Sequence, residues 1–134
     1  MDGQGTYNPR LDGELPPCTE EWGWKYHHLG IPTCEIREGE TYIPFAGVYV
    51  SGFSHSPFGI EWMRWEEGSE FHPLVKTVPH LAFVVDDLEG ELTRRGLRVI
   101  VPPNPPSDGV RVAMVEVNGA PIELMEFAGE SEKQ

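Results

Sequence analysis

The sequence predicts an α+β fold made of two tandem βαβββ modules, of which the first is shortened. Three observations predict it. Short apolar runs bounded by Gly, Pro, Asn and Asp are typical of strands, one segment has the pattern of a helix, and the same His and Glu pattern occurs in each half of the chain. The second half is therefore expected to run strand, helix and three strands, and the first half to repeat this order without a clear helix.

Seven strand-like runs follow one another along the chain, with turn residues between them. They cover 25–32, 46–53, 59–65, 79–86, 97–101, 110–117 and 121–127, and a further short strand is expected around 41–43. The Pro-rich stretch 102–106 cannot donate ladder hydrogen bonds along its length, so we expect a loop there, at an end or edge of the sheet.

One convincing helix is predicted over residues 87–95, directly after the second His-containing strand. Asp86 is suited to cap it, Glu89 follows as a capping-box partner, and Gly96 suits the position after its end. The corresponding segment of the first half, 34–40, has a poor apolar pattern, so a helix there is expected to be short or absent.

The length of 134 residues suits a single domain. We expect an extended or partly ordered amino-terminal tail, one domain with two modules, and a short carboxyl-terminal tail. The predicted ranges are 1–22 for the first tail, 23–128 for the domain, about 24–68 and about 78–128 for its modules, and 129–134 for the second tail.

Composition excludes several classes of function. The formal net charge of −12, with ten Lys and Arg residues, argues against binding to nucleic acid, because phosphate backbones need clustered cations. The two Cys residues have no metal-binding or disulfide-framework spacing. No signal peptide and no apolar run of about 20 residues is visible, so we expect a soluble, cytoplasmic protein that binds no membrane.

The repeat places one His and one Glu in each half. The matching runs are HLGI at 28–31 with HLAF at 80–83, and IEWM at 60–63 with IELM at 122–125. Because successive strand side chains point to opposite faces, His27 and His28 are not expected to share a site, and the alignment with His80 selects His28. A single His of this kind is usually a hydrogen-bonded structural residue, but the aligned pair favours two metal ligands.

The two aligned carboxylates stand inside apolar strands. Glu61 and Glu123 could each lie on a solvated sheet face, which is the ordinary explanation for one such residue. If both carboxylates faced inwards without a partner, burying each charge would cost several kcal/mol or raise the pKa of the group. A bound divalent cation would remove this cost. Glu126 lies three residues beyond Glu123, points to the opposite face and is a poor additional ligand.

Four further residues are weaker candidates for substrate binding. His55 and His72 lie in turn-like segments and could line a pocket. Trp62 is more typical of a core position than of a substrate wall. Arg64 could meet an anionic substrate, although a solvent-exposed strand face is favoured. No dinucleotide, phosphate-loop, nucleophile-elbow or HExxH motif is present.

The chain resembles the vicinal oxygen chelate superfamily, which contains glyoxalases, bleomycin-resistance proteins and extradiol dioxygenases. The resemblance covers about residues 24–128 and is strongest over PHLAFVVDDLEGEL (79–92) and APIELMEF (120–127). It implies a curved mixed sheet around a metal cleft, with each module supplying half of the site. By position, the ligands it implies are His28, Glu61, His80 and Glu123.

The resemblance also implies a class of chemistry. Extradiol dioxygenases of the superfamily leave the position of Glu61 without a ligand, whereas glyoxalase I-like isomerases fill all four positions. It therefore implies a divalent-metal-dependent isomerase, epimerase or lyase that acts on a small substrate chelated through adjacent oxygens, via an enediolate-like intermediate. Either Glu61 or Glu123 could be the base.

Two alternatives stay open, a non-haem Fe(II) extradiol-type dioxygenase and a non-catalytic protein that binds small molecules such as drugs. The donor set suits Zn, Ni, Mn, Co or Fe, so the metal is not chosen. A homodimer is expected, because homodimers are common in the superfamily.

Overall fold

The computed structural model describes residues 10–128, and these form one mixed sheet with three short α-helices and a 3-10 helix. The strands are β1 (Lys25–Pro32), β2 (Thr41–Ile43), β3 (Val48–Ser51), β4 (Ile60–Trp65), β5 (His80–Val84), β6 (Arg98–Ser107), β7 (Val110–Val117) and β8 (Ala120–Phe127). The helices are α1 (Cys18–Glu21), α2 (Pro73–Thr77) and α3 (Leu88–Arg94), with the 3-10 helix at Phe53–His55. None of these helices is long and apolar enough to cross a membrane.

The eight strands form a curved sheet in the order β2-β3-β4-β1-β5-β8-β7-β6. Each module supplies four neighbouring strands, and one parallel pair lies in each half, β1 with β4 and β5 with β8. The two halves join where β1 and β5 pair antiparallel. This confirms the predicted α+β fold of two modules in which the first is shortened.

One face of the second module packs against α3 and Trp24. The buried cluster there takes alternate residues from neighbouring strands, because side chains in a strand alternate between its two faces. Its members are Trp24, Phe83, Val85, Leu88, Ala113 and Leu124. The same alternation leaves the residues between them facing the opposite side of the sheet.

The first module covers the equivalent face without a helix, as expected from its missing residues. Residues 33–40 contain no helical turn. Instead, the Arg37 guanidinium lies 4.9 Å from the centroid of the Trp62 ring. Arg64 forms two hydrogen bonds to Glu40, at 2.8 and 2.7 Å, and stacks over Tyr49. Side chains of a loop therefore replace the helix that the second module uses.

The expectation of a loop at 102–106 is wrong, because this Pro-rich stretch belongs to β6. The strand lies at the edge of the sheet, where Pro is tolerated, and its register with β7 shifts three times. Asn104 supplies side-chain donors in place of the missing N–H groups. Its Nδ2 donates to the carbonyls of Val112 at 3.2 Å and Pro102 at 2.9 Å.

The predicted helix is present as α3, but its cap is Asp87 and not Asp86 as expected. Asp87 Oδ1 accepts a hydrogen bond from the Gly90 N–H at 3.2 Å. Gly96 follows the helix with a φ of 59°, as its predicted position requires. Helix α2 has no counterpart among the predicted elements; it begins with Pro73 at its first position.

The segment before β1 is tied to α3 by aromatic and ionic contacts. Trp24 Nε1 donates to Glu91 at 2.9 Å, and the Arg95 guanidinium lies 4.1 Å from the centroid of the Trp22 ring. Residues 1–9 of the expected amino-terminal tail and all of 129–134 lie outside the described residues. The domain and module boundaries stay predictions.

Glu91→Gln is expected to change how stability depends on pH. Burial raises the pKa of Glu91, but hydrogen bonds from Trp24 and Arg95 outweigh it and hold the pKa below its ordinary value. Because the pKa of Glu91 is lower in the folded than in the unfolded protein, the ionised carboxylate stabilises the fold at pH values above its unfolded pKa of about 4.3. This stabilisation is lost as the pH falls through the pKa of the folded state. The wild type should therefore lose up to about 1 kcal/mol more stability than the variant between pH 6 and pH 3.

Urea unfolding at several pH values measures this difference. Glu67→Gln, at an exposed turn position, is the matched control and should behave as the wild type. Parallel pH profiles for wild type and Glu91→Gln would contradict the role assigned to the carboxylate.

Candidate metal centre

The pairing of strands places Glu61 and His80 on one side of the sheet with a glycine between them. Gly30 of β1 is the register partner of Glu61 in β4 and of His80 in β5. A Cβ at Gly30 would lie 2.8 Å from both His80 Nδ1 and His80 Nε2, and closer still to Cε1. The His80 ring therefore occupies the space above Gly30 that any other side chain would fill.

A second row of register partners repeats this arrangement in the opposite direction. Ala82 of β5 is the partner of His28 in β1 and of Glu123 in β8. Ala82 is fully buried. Each row thus holds one imidazole, one small residue and one carboxylate, and the two rows lie next to each other.

Three of these side chains converge on one point. His80 Nε2 lies 3.0 Å from Glu123 Oε1, and His28 Nε2 lies 3.4 Å from the same oxygen. The two Nε2 atoms are 3.4 Å apart. Both rings are buried, with 5% of His28 and 2% of His80 exposed. The three donor atoms lie within 4.8 Å of one another, which is a group that could hold a metal ion.

Glu61 lies beside this group but is not part of it. Its Oε1 is 3.4 Å from His28 Nε2, and its side chain is 20% exposed. It lines the same cavity as the three converging residues. The structure therefore brings together all four residues predicted from the repeat. Three of them form a compact group, and Glu61 lies beside it.

The two carboxylates differ in their electrostatic surroundings. Burial raises the pKa of Glu123, but hydrogen bonds from His28 and His80 outweigh it and lower the pKa to about 2. The pKa of Glu61 is raised, chiefly by burial, while the attraction of His28 opposes the shift. Burial lowers the pKa of His28, yet the hydrogen bond and charge of Glu123 raise it overall. Glu123 is thus the ionised partner of both imidazoles.

His27 also reaches this site, so the expectation that it faces away from His28 is wrong. A bulge between Tyr26 and His28, relative to β5, places His27 as the extra residue and turns both rings toward the cavity. The Nδ1 atoms of His27 and His28 are 2.7 Å apart. A tautomer in which His28 Nδ1–H donates to His27 Nδ1 would leave a lone pair on His28 Nε2, which is the form that binds a cation. The His27 ring is held by stacking on Phe53, with ring centroids 4.9 Å apart.

The group lines a cavity of about 340 Å³ on this face of the sheet. Most of the lining is apolar, and we name it the apolar wall: Ile43, Phe45, Ala46, Val48, Val50, Phe53, Met63, Trp65, Phe71, Val75, Pro106, Val110, Val112, Met114 and Met125. The other polar lining residues are Thr41, Asn104 and Ser107. Within the described part of the chain, no Lys or Arg lines this cavity.

Comparison with known proteins identifies the fold. No protein-family model matches the chain, and no curated protein matches it in sequence. A hypothetical protein, BH1468 from Bacillus halodurans C-125, matches with a TM-score of 0.63 and 22% identity, over 81% of this chain and 98% of that one. Methylmalonyl-CoA epimerase from Mycobacterium tuberculosis matches with a TM-score of 0.58 and 21% identity, over 82% of this chain and 92% of that one.

The chain has the vicinal oxygen chelate fold. The resemblance noted in the sequence is thereby confirmed at the level of fold. The four residues around the centre, His28, Glu61, His80 and Glu123, all belong to this chain. The expected homodimer stays a prediction.

The four weaker candidates lie away from the cavity. His55 is exposed in the 3-10 helix, and His72 caps α2 by accepting a hydrogen bond from the Leu74 N–H at 3.1 Å. Trp62 and Arg64 occupy the opposite face of β4 from Glu61, because they stand one and three residues beyond it. None of these four lines the cavity.

Gly30 and Ala82 of the centre were not predicted, although the repeat contains a signal for both. The second position after each matched His is small, Gly30 in one copy and Ala82 in the other. A small residue two positions after a His is what the antiparallel pairing of two such strands requires. His27 has no comparable signal, because a bulge depends on the partner strand.

Gly30→Ala is expected to disturb the centre more than an ordinary substitution of its size. His80 Nε2 bonds to Glu123, but His80 Nδ1 is buried and has no hydrogen-bond partner among the described residues, so the close packing over Gly30 also fixes the ring. The added methyl should displace it, reduce stability by about 1–3 kcal/mol and weaken Co²⁺ binding at least about tenfold. Chemical unfolding of the metal-free protein and calorimetric titration with Co²⁺ measure both effects.

Gly68→Ala is the matched control, since a methyl group at that position meets nothing within 4 Å. Its stability should stay within about 0.5 kcal/mol of the wild type. Equal stability and equal affinity in Gly30→Ala would show that the His80 ring does not depend on Gly30.

Proposed function

We propose that this protein is a divalent-metal-dependent enzyme of the glyoxalase-like type, an isomerase, epimerase or lyase. Its substrate is small and presents two adjacent oxygens. The observation that carries the proposal is the convergence of His28, His80 and Glu123 beside Glu61, in the lining of a mostly apolar cavity. The likeness in fold to methylmalonyl-CoA epimerase supports an epimerase-type reaction.

The residues present fit a divalent cation. Two imidazoles and a carboxylate are ligands that Zn, Ni, Mn, Co and Fe all accept in proteins. The lining of the cavity in the described residues supplies two carboxylates and no Lys or Arg to balance them. A bound cation would hold both carboxylates in their ionised form, because its field favours the charged state. We assign His28, His80 and Glu123 as its ligands.

The chain's own residues divide the remaining work. When bound, the cation would polarise two adjacent substrate oxygens and stabilise the negative charge left by proton loss at the neighbouring carbon. Glu61 faces the cavity from outside the compact group, so we assign it as the base that takes this proton and returns it. Glu123 is engaged by both imidazoles, which favours a ligand role over that of base.

A second candidate is a non-haem Fe(II) dioxygenase of the extradiol type. It is favoured by one observation, that the compact group contains two His and one carboxylate and omits Glu61. This is the ligand set that many Fe(II) oxygenases use, with open positions for substrate and oxygen. In this candidate Glu61 has no role as a base.

Metal binding tests both candidates. Titration with Co²⁺, followed by calorimetry and visible absorption, should show one tight site in the wild type. His80→Ala and Glu123→Gln should each weaken it at least about 100-fold, since loss of a direct ligand costs more than loss of an outer partner. Glu61→Gln should retain binding within about tenfold.

Matched controls separate ligand loss from general damage. His55→Ala replaces an exposed His, and Glu126→Gln replaces a carboxylate on the other face of β8. Both should bind Co²⁺ as the wild type does, and circular dichroism should show that every variant is folded. A folded wild type that binds no divalent metal would overturn both candidates.

Proton exchange then distinguishes the two candidates. The isomerase-type proposal expects the metal-loaded protein to exchange the carbon-bound proton of 2-hydroxyacetophenone with deuterated water, measured by NMR, and Glu61→Gln to lose this exchange. Oxygen uptake with Fe²⁺ and catechol that survives in Glu61→Gln, with no proton exchange in the wild type, would instead support the dioxygenase.

A further inference from the structure

The cavity next to the metal centre has an uncharged wall. Strand alternation directs apolar side chains of β3, β4, β7 and β8 into it, such as Val48, Met63, Val112 and Met125. Aromatic side chains of the apolar wall, among them Phe45, enlarge this surface. A ligand bound here would therefore place most of its surface against hydrocarbon.

The cationic side chains on neighbouring positions are directed elsewhere. Arg64 stands between two wall residues of β4, but points to the opposite face and pairs with Glu40. Lys76 directly follows the wall residue Val75, and its Nζ donates to the Ser69 carbonyl. Away from the metal centre, an anionic group in the cavity would be taken out of water without a cationic side chain to pair with, in a chain of net charge −12.

The remaining polar groups are few and neutral. Thr41, Asn104 and Ser107 are uncharged and are the lining polar residues of the described chain outside the metal centre and His27. The volume of about 340 Å³ is at the lower end of the range of about 300–1,000 Å³ for small-molecule sites. The site therefore suits a small ligand with one polar, chelating end and one apolar end.

We infer that the substrate carries its two adjacent oxygens on an uncharged aromatic or branched aliphatic body. This rests on the proposed function, since the adjacent oxygens are assigned to the metal. The inferred substrate differs from the one that the name of the structural neighbour methylmalonyl-CoA epimerase indicates, which is a coenzyme A derivative.

A set of hydroxamic acids tests this specificity, because they share one chelating group and differ in the body attached to it. The probes are acetohydroxamic acid, benzohydroxamic acid and 4-carboxybenzohydroxamic acid, titrated calorimetrically into the Co²⁺-loaded protein. Benzohydroxamic acid should bind about tenfold more tightly than acetohydroxamic acid, through burial of its ring. The added carboxylate should weaken binding at least about tenfold.

A positive charge introduced into the apolar wall provides a second test of the same specificity. Phe45→Lys alters a wall residue that is 55% exposed, so the fold should tolerate it. It should raise affinity for 4-carboxybenzohydroxamic acid relative to benzohydroxamic acid by about tenfold. Phe58→Lys, at a 72% exposed position outside the cavity, is the control and should leave the ratio unchanged.

The outcomes are distinguishable. Intact Co²⁺ binding with equal or tighter binding of the carboxylated probe in the wild type would overturn this inference and leave the proposed function standing. An equal effect of Phe58→Lys and Phe45→Lys would also overturn it, because the wall would then not determine the preference. Absence of Co²⁺ binding would overturn the proposed function and this inference together.

Discussion

The antiparallel pairing of β1 with β5 is the constraint on which the centre depends. It joins the two modules into one sheet and sets His80 opposite Gly30 and His28 opposite Ala82. The parallel partners on either side then bring one Glu to each row. A shift of the register by one residue would turn each His to the opposite face, so the metal centre requires this register. The small residues between the ligands leave room for the rings and form the floor of the site.

The two faces of the sheet differ in what covers them. On one face, α3 and Trp24 pack against alternate residues of the second module and supply a dry core. On the other face, the alternate residues line a cavity and hold two imidazoles and two carboxylates, which a packed core would exclude. In the first module, Arg37 and the Arg64–Glu40 pair cover the outer face of the sheet. They do not supply the apolar packing that a helix provides. The centre is thus supported by a rigid sheet and not by loops.

The sequence predicts those features that follow from strand periodicity and from the repeat. Strands β1, β2 and β7 match their predicted ranges, and the four residues of the repeat lie together because each module has the same internal register. Features that depend on contacts between strands were not predictable in this way. His27 enters the site through a bulge, and the Pro-rich part of β6 joins the edge of the sheet, where Asn104 Nδ2 donates to the Val112 carbonyl of β7. Neither is visible in a single strand's pattern.

A crystal structure of the protein grown with Co²⁺, with anomalous scattering recorded at the cobalt edge, tests the central claim most directly. The account predicts one strong anomalous peak bonded to His28 Nε2, His80 Nε2 and a carboxylate oxygen of Glu123, at about 2.0–2.2 Å. It also predicts that the His80 ring lies over Gly30 in the register described. No peak at saturating Co²⁺, or a single peak elsewhere in the molecule, would contradict it.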